Sequence, residues 1–139
     1  TNVVDLPGLG YRACCDLAVC DVSFTSIERI IDAVVKLLRP GGTFLTLVKP
    51  QFEAAPEDVG EGGVVRDPAV RRAVLERVLA CFAERGLVPQ GVCVSPITGA
   101  KGNVEFFMLG ALDAGATGTD GMREACERVR ARFEGVCGA

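Results

Sequence analysis

Apolar runs of strand length alternate with stripes of helical period along this chain, and Pro, Gly and Asp mark the changes. The run Leu-Ala-Val-Cys at 17–20 ends at Asp21, as a buried parallel strand does when a carboxylate emerges at its carboxyl end. Thr25 stands three residues before Glu28, the spacing of a capping box. Ile27, Ile30, Ile31, Val34, Val35 and Leu38 then recur at helical spacing, which predicts a helix over 26–38 that Pro40-Gly41-Gly42 stops. Residues 43–48 read as a second strand, which delivers Lys49 and Pro50 to the edge where Asp21 emerges.

A polar, glycine-rich loop is expected over 54–66, long enough for a functional segment. Asp67 is a natural helix cap with Pro68 at the first helical position. Val70, Val74, Val78 and Phe82 run down one face of that helix, and Gly86 sits just past its end. Residues 87–94 and 104–112 read as strands of an antiparallel hairpin around a turn at 95–102. A linker at 113–119 and an amphipathic helix at 120–135 complete the chain, with Arg123, Arg128, Arg130 and Arg132 around the polar side of that helix. The expected class is α/β: a mostly parallel sheet closed by an antiparallel hairpin, with helices on both faces. The chain resembles the second half of a Rossmann domain, because Gly8-Leu9-Gly10 lacks a strand before it.

Composition narrows the chemistry. The 139 residues suit one domain, and a hydrophobic share of 49% is enough to bury a core. With no histidine, Ser-His-Asp and Cys-His nucleophiles and HExxH zinc sites are excluded. A net charge of −3 argues against affinity resting on one broad basic face. Seven cysteines without a CxxC pair read as reduced, mostly buried thiols, and no metal site is expected. No apolar run approaches a bilayer-spanning length, and the sequence reads as soluble and cytoplasmic.

Asp21, Lys49 and Glu105 stand out as a set, the first two ending adjacent parallel strands and the third opening the closing hairpin strand. Catalytic groups of open α/β sheets gather at the carboxyl ends of strands. Two carboxylates can hold and orient an ammonium for work on a weakly acidic hydroxyl, although an ordinary ion pair at a strand edge has the same spacing. Ser95 and Asn103 flank this edge as candidate substrate contacts or as turn residues. Arg66 is a candidate phosphate contact or a helix-end charge.

Four blocks occur in order: Cys20-Asp21-Val22-Ser23-Phe24-Thr25-Ser26; Leu47-Val48-Lys49-Pro50-Gln51-Phe52-Glu53; Gly62-Gly63-Val64-Val65-Arg66-Asp67-Pro68; and Ser95-Pro96-Ile97-Thr98-Gly99 with Gly102-Asn103-Val104-Glu105-Phe106. Together they resemble the hemolysin A type ribosomal RNA methyltransferases, an FtsJ-like branch of the S-adenosylmethionine-dependent enzymes. The resemblance covers roughly residues 1–110 and implies a Rossmann-like methyltransferase sheet, S-adenosylmethionine as cofactor and 2′-O-methylation of ribose in ribosomal RNA. That group uses a Lys-Asp-Lys-Glu tetrad, and Asp21, Lys49 and Glu105 match its last three members, with Lys49 as the base. The resemblance also puts Asp21, Val22 and Ser23 beside the methyl donor and Asn2 at the end of a strand beside its adenine.

Glu61 and Ala100 depart from the family pattern, where Lys and Pro are common. The resemblance implies that 1–112 is the C-terminal part of the domain. The first tetrad Lys, the glycine-rich donor turn and a small RNA-binding domain are then expected upstream of Thr1, so the chain alone is expected to be inactive. An exposed strand at 17–20 is expected to promote self-association. The rival readings are a non-catalytic RNA-binding or scaffolding module and a membrane-lytic hemolysin, for which the chain offers no span.

Overall fold

The computed structural model describes residues 2–138. Four strands, β1 (Cys15–Cys20), β2 (Leu38–Val48), β3 (Leu87–Val94) and β4 (Phe106–Leu112), form one sheet in the order β1-β2-β4-β3. β1 is parallel to β2, and β4 is antiparallel to both of its neighbours. The sheet of the described residues is thus not mostly parallel. The hairpin strand β4 inserts between β2 and β3 instead of extending the sheet beyond β3, so it makes an antiparallel pair on each side.

The helices are α1 (Ile31–Leu37), the short α2 (Pro50–Glu53), α3 (Pro68–Glu84), α4 (Gly118–Arg130) and α5 (Phe133–Cys137). Phe44, Val48, Phe106 and Met108 of the sheet share one buried cluster with Ile31 and Val34 of α1, Val74 and Phe82 of α3, Val129 of α4 and Phe133 of α5. The long helices therefore gather on one face, not on both. The reason is topological: β1 to β2 and β2 to β3 step across the sheet in the same direction, and right-handed crossovers place both connections on the same side. The opposite face keeps Leu45, Leu47, Phe107 and Leu109 only half-buried.

Phe44 stacks on Phe82 at a centroid distance of 5.5 Å, joining sheet to α3. Truncating either ring to Ala would cost about 3–5 kcal/mol. α3 forms as its sequence dictates. The Asp67 carboxylate accepts from the N–H of Ala69 at 2.9 Å, Pro68 occupies the first turn, and Gly86 takes the left-handed conformation (φ +75°) that ends the helix.

Other boundaries differ from expectation. The cap after β1 is Ser26, not Thr25: Ser26 Oγ accepts from Glu28 N–H at 3.1 Å and opens a 3₁₀ turn, Ile27–Arg29, that precedes a shorter α1. β2 begins at Leu38, and residues 39–42 bulge out opposite Asp16 where the register shifts. The segment after β4 is a turn organised by Asp113, which accepts from the N–H groups of Gly115 and Thr117. The last helix starts at Gly118 and breaks at 131–132, so that Phe133 and Cys137 reach the core. Among the described residues no helix is long and apolar enough to cross a membrane.

Candidate active site

The strand register brings the three expected residues to one edge. Cys20 lies opposite Thr46 at the end of the parallel pair, and Val48 lies opposite Phe106 at the end of the antiparallel pair. Asp21, Lys49 and Glu105 are each the next residue beyond these positions or the one before them, at the same end of the sheet. Lys49 Nζ sits 2.5 Å from Asp21 Oδ1 and donates to Ser23 Oγ at 3.1 Å. The Lys49 side chain is 12% exposed and that of Asp21 63%, so a largely buried Lys49 meets an accessible carboxylate.

Glu105 is buried and accepts from Gln51 Nε2 at 2.8 Å. Its carboxylate presses so closely on Gly99 that a Cβ there would overlap it. Among the described residues no hydrogen bond or ion pair joins Glu105 to Lys49. The two meet through sequence neighbours instead, since Lys49 caps α2 and Gln51 lies in its first turn. Cys20 is an inert neighbour of this edge. Burial pushes its thiol above the ordinary range, against a smaller opposing effect of its hydrogen bond with Thr46.

Several roles were invisible in the sequence. Glu53, the last residue of α2, is buried; its carboxylate accepts from Ser26 Oγ at 2.7 Å and from Ile27 N–H at 2.8 Å, and Arg77 donates to its backbone carbonyl. It ties the end of β2 to the segment that carries Asp21 and Ser23. Phe24 is 88% exposed with φ +61°, a strained conformation for an aromatic residue, and its ring lies 4.7 Å from that of Phe52. Together with Gln51, Lys101 and Asn103 these rings line a cavity of about 220 Å³ beside the charged edge.

The expected substrate contacts divide. Arg66 is exposed, with one long contact from its guanidinium to the Glu61 carbonyl at 3.5 Å. Ser95 is buried; its N–H donates to the Glu105 carbonyl at 2.8 Å and its hydroxyl accepts from Ile97 N–H at 3.4 Å. Asn103 is a brace: its amide accepts from Val65 N–H at 3.0 Å and donates to the carbonyls of Gly63 and Ala100. It fastens the 61–65 loop to the turn before β4. Asn2, expected at the end of a strand, lies in no strand of the described residues, because its carboxamide oxygen caps the 3₁₀ turn Val3–Asp5 by accepting from Val4 N–H.

A Rossmann-like α/β sheet with an ionisable cluster at the carboxyl edge of its parallel strands is the class of domain these features define. A family model described as FtsJ-like methyltransferase matches residues 2–111, and the chain belongs to that family. It is 46% identical over 93 residues to YqxC of Bacillus subtilis, a protein named as an rRNA methyltransferase, covering 67% of this chain and 33% of that one. It is 38% identical over 115 residues to the 16S/23S rRNA (cytidine-2′-O)-methyltransferase TlyA of Mycobacterium tuberculosis, covering 82% of this chain and 43% of that one. Among solved structures, a Streptococcus thermophilus protein described as a hemolysin superposes with a TM-score of 0.70 at 34% identity, over 86% of this chain and 44% of that chain. This chain therefore spans a third to just under a half of the length of these relatives.

Proposed function

We propose that this chain supplies the proton-handling edge of an enzyme that methylates ribose 2′-hydroxyls in ribosomal RNA, in the cytoplasm, with S-adenosylmethionine as methyl donor. The observation that carries this is the Asp21–Lys49–Ser23 cluster at the sheet edge of an FtsJ-like domain. Lys49 takes the proton of the 2′-hydroxyl; Asp21 and Ser23 fix its amine in place; Glu105, braced by Gln51 and Gly99, closes the far side. The exposed Phe24 ring, with the half-buried Phe52 ring beside it, offers a face against which the base attached to that ribose stacks.

The residues present fit one side of a donor site. An apolar groove of about 320 Å³ runs along β1, between Ala18, Cys20 and Ile30, and ends at Asp21 and Val22. Apolar walls with one carboxylate at the end suit an adenosyl group and a sulfonium. Ser23 and Asn2 use only acceptor oxygens in their protein contacts, which leaves their donors for the ligand. Bound there, S-adenosylmethionine supplies the methyl group.

The test is transfer of labelled methyl from S-adenosylmethionine to ribosomal RNA by the longer polypeptide that contains this chain, with product mapped by resistance of the modified linkage to alkali. Loss of transfer in Lys49→Ala supports the reading. Full transfer by Lys49→Ala would sink it, and RNA binding without any transfer by the wild type would favour a non-catalytic RNA-binding module.

A further inference from the structure

The cleft between β3 and α4 lies away from the charged edge and has no part in the reading above. Pro89, Gln90 and Gly91 form one wall, Arg128, Val129 and Arg132 the other, around a volume of about 460 Å³. β3 is an edge strand, and such an edge ordinarily invites another strand to pair with it. Here it is blunted. Pro89 lacks an N–H, and Gln90 falls between the pairs Pro89–Gly110 and Gly91–Leu109 as a bulged residue. The cleft is not shaped for an added strand.

Its charge indicates what it takes. Arg123 and Arg130 of α4 are neutralised by Asp120 at 2.5 Å and by Glu76 at 2.9 Å. Arg128 near the end of α4 and Arg132 in the break that follows it both line the cleft, are exposed and have no ion pair among the described residues, although Glu124 precedes Arg128 by one turn. In a chain of net charge −3, this is a local pair of guanidinium groups without an ion-pair partner among the described residues, lining the cleft with Val88, Gln90 and Val129. Guanidinium forks match phosphate oxygens in geometry and charge. β3 leads from this cleft straight to Ser95 at the charged edge; at ~3.3 Å per residue, Gly91 lies about 13 Å from it, within reach of nucleotides flanking a modified one.

We propose that Arg128 and Arg132 form a phosphodiester contact for the RNA strand flanking the target nucleotide. The proposal rests on the RNA reading above, and it assigns a role to the segment that follows the family match, which ends at residue 111. The contact sets register and affinity, not sequence.

The experiment is fluorescence anisotropy of the longer polypeptide that contains this chain, with two RNA stem-loops of unrelated sequence, across a salt series. Arg128→Gln/Arg132→Gln should weaken binding equally for both RNAs and lower the slope of log affinity against log salt by about 2, roughly one per lost phosphate contact. Arg128→Lys/Arg132→Lys should keep most of that slope, and Arg123→Gln/Arg130→Gln should leave it unchanged. An unchanged slope in the first variant, or an equal fall in the last, overturns the proposal. Titration with inorganic phosphate is the further arm: saturable phosphate binding that the Gln variant loses, with no change in the RNA slope, assigns the cleft to a free anion and overturns it too. Failure of the wild-type longer polypeptide to bind either RNA removes the functional reading as well, a result distinct from RNA binding that ignores the two arginines.

Discussion

The carboxylate of Glu53 accepts the N–H of Ile27 at 2.8 Å, and this bond joins the segment that leaves β2 to the segment that leaves β1. Because Asp21 and Ser23 lie on one of these segments and Lys49 on the other, Glu53 holds the width of the site. Glu53→Ala would leave the Ile27 N–H and the Ser26 O–H without their acceptor and cost about 1–3 kcal/mol, read as a lower urea midpoint with an unchanged slope. An unaltered midpoint would remove Glu53 from this role.

Lys49→Ala should abolish methyl transfer by the longer enzyme while costing little stability. Its partner Asp21 is largely exposed, so the ion pair contributes about 0–1 kcal/mol. Removing a general base typically costs 10²- to 10⁴-fold in rate. Transfer assays and thermal unfolding on the same preparation separate the two effects. Asp21→Asn should retain the fold and lose rate through misplacement of the amine.

Gly99→Ala tests the buried end of the site. An added methyl meets the Glu105 carboxylate, so the carboxylate must move off Gln51. Transfer should fall by more than the unfolding free energy does. Equal losses would make Gly99 a packing position only.

Thiol accessibility should follow burial. Cys14 and Cys93 are exposed and should take iodoacetamide first, whereas Cys81 and Cys137, whose thiols burial pushes up from the ordinary value of 9.0, should react only on unfolding. A folded-state pKa above the unfolded one stabilises the fold below pH 9.0, and that contribution is lost as pH rises further through the raised value. Mass spectrometry of labelled peptides checks the order.

Leu17 and Val19 are 58% and 67% exposed on β1, the other edge of the sheet. An apolar edge strand of this kind is a template for pairing with another chain. Sedimentation should show mass rising with concentration, and Val19→Lys should abolish the rise. A monomer at all concentrations would refute self-association through this edge.

Much of this was legible from sequence where the signal is local. Asp67, Pro68 and Gly86 fix α3 with neighbours a few residues away, and β3 has the predicted bounds Leu87–Val94. Ser26 and Thr25 are adjacent hydroxyls, and only the phase of the following turn selects Ser26. The insertion of β4 between β2 and β3 was not legible, since a hairpin pattern says nothing about which strand its outer edge meets. Glu53 and Gln51 read as ordinary polar residues because their partners, Ile27 and Glu105, lie 26 and 54 residues away. Phe24 looks like core by type, yet its backbone turns it outward.

The place of β4 also governs when the site comes into being. It is made after the other three described strands but sits between two of them, so β2 and β3 must wait with open inner edges until residues 106–112 arrive. Such non-local closure slows folding. Until it happens, Gln51 lacks Glu105, and a nascent chain holds its Lys49–Asp21 half without the other. Completion of the sheet and assembly of the charged edge are thus one event, and substitutions within β4, such as at Met108, should slow refolding before they touch chemistry.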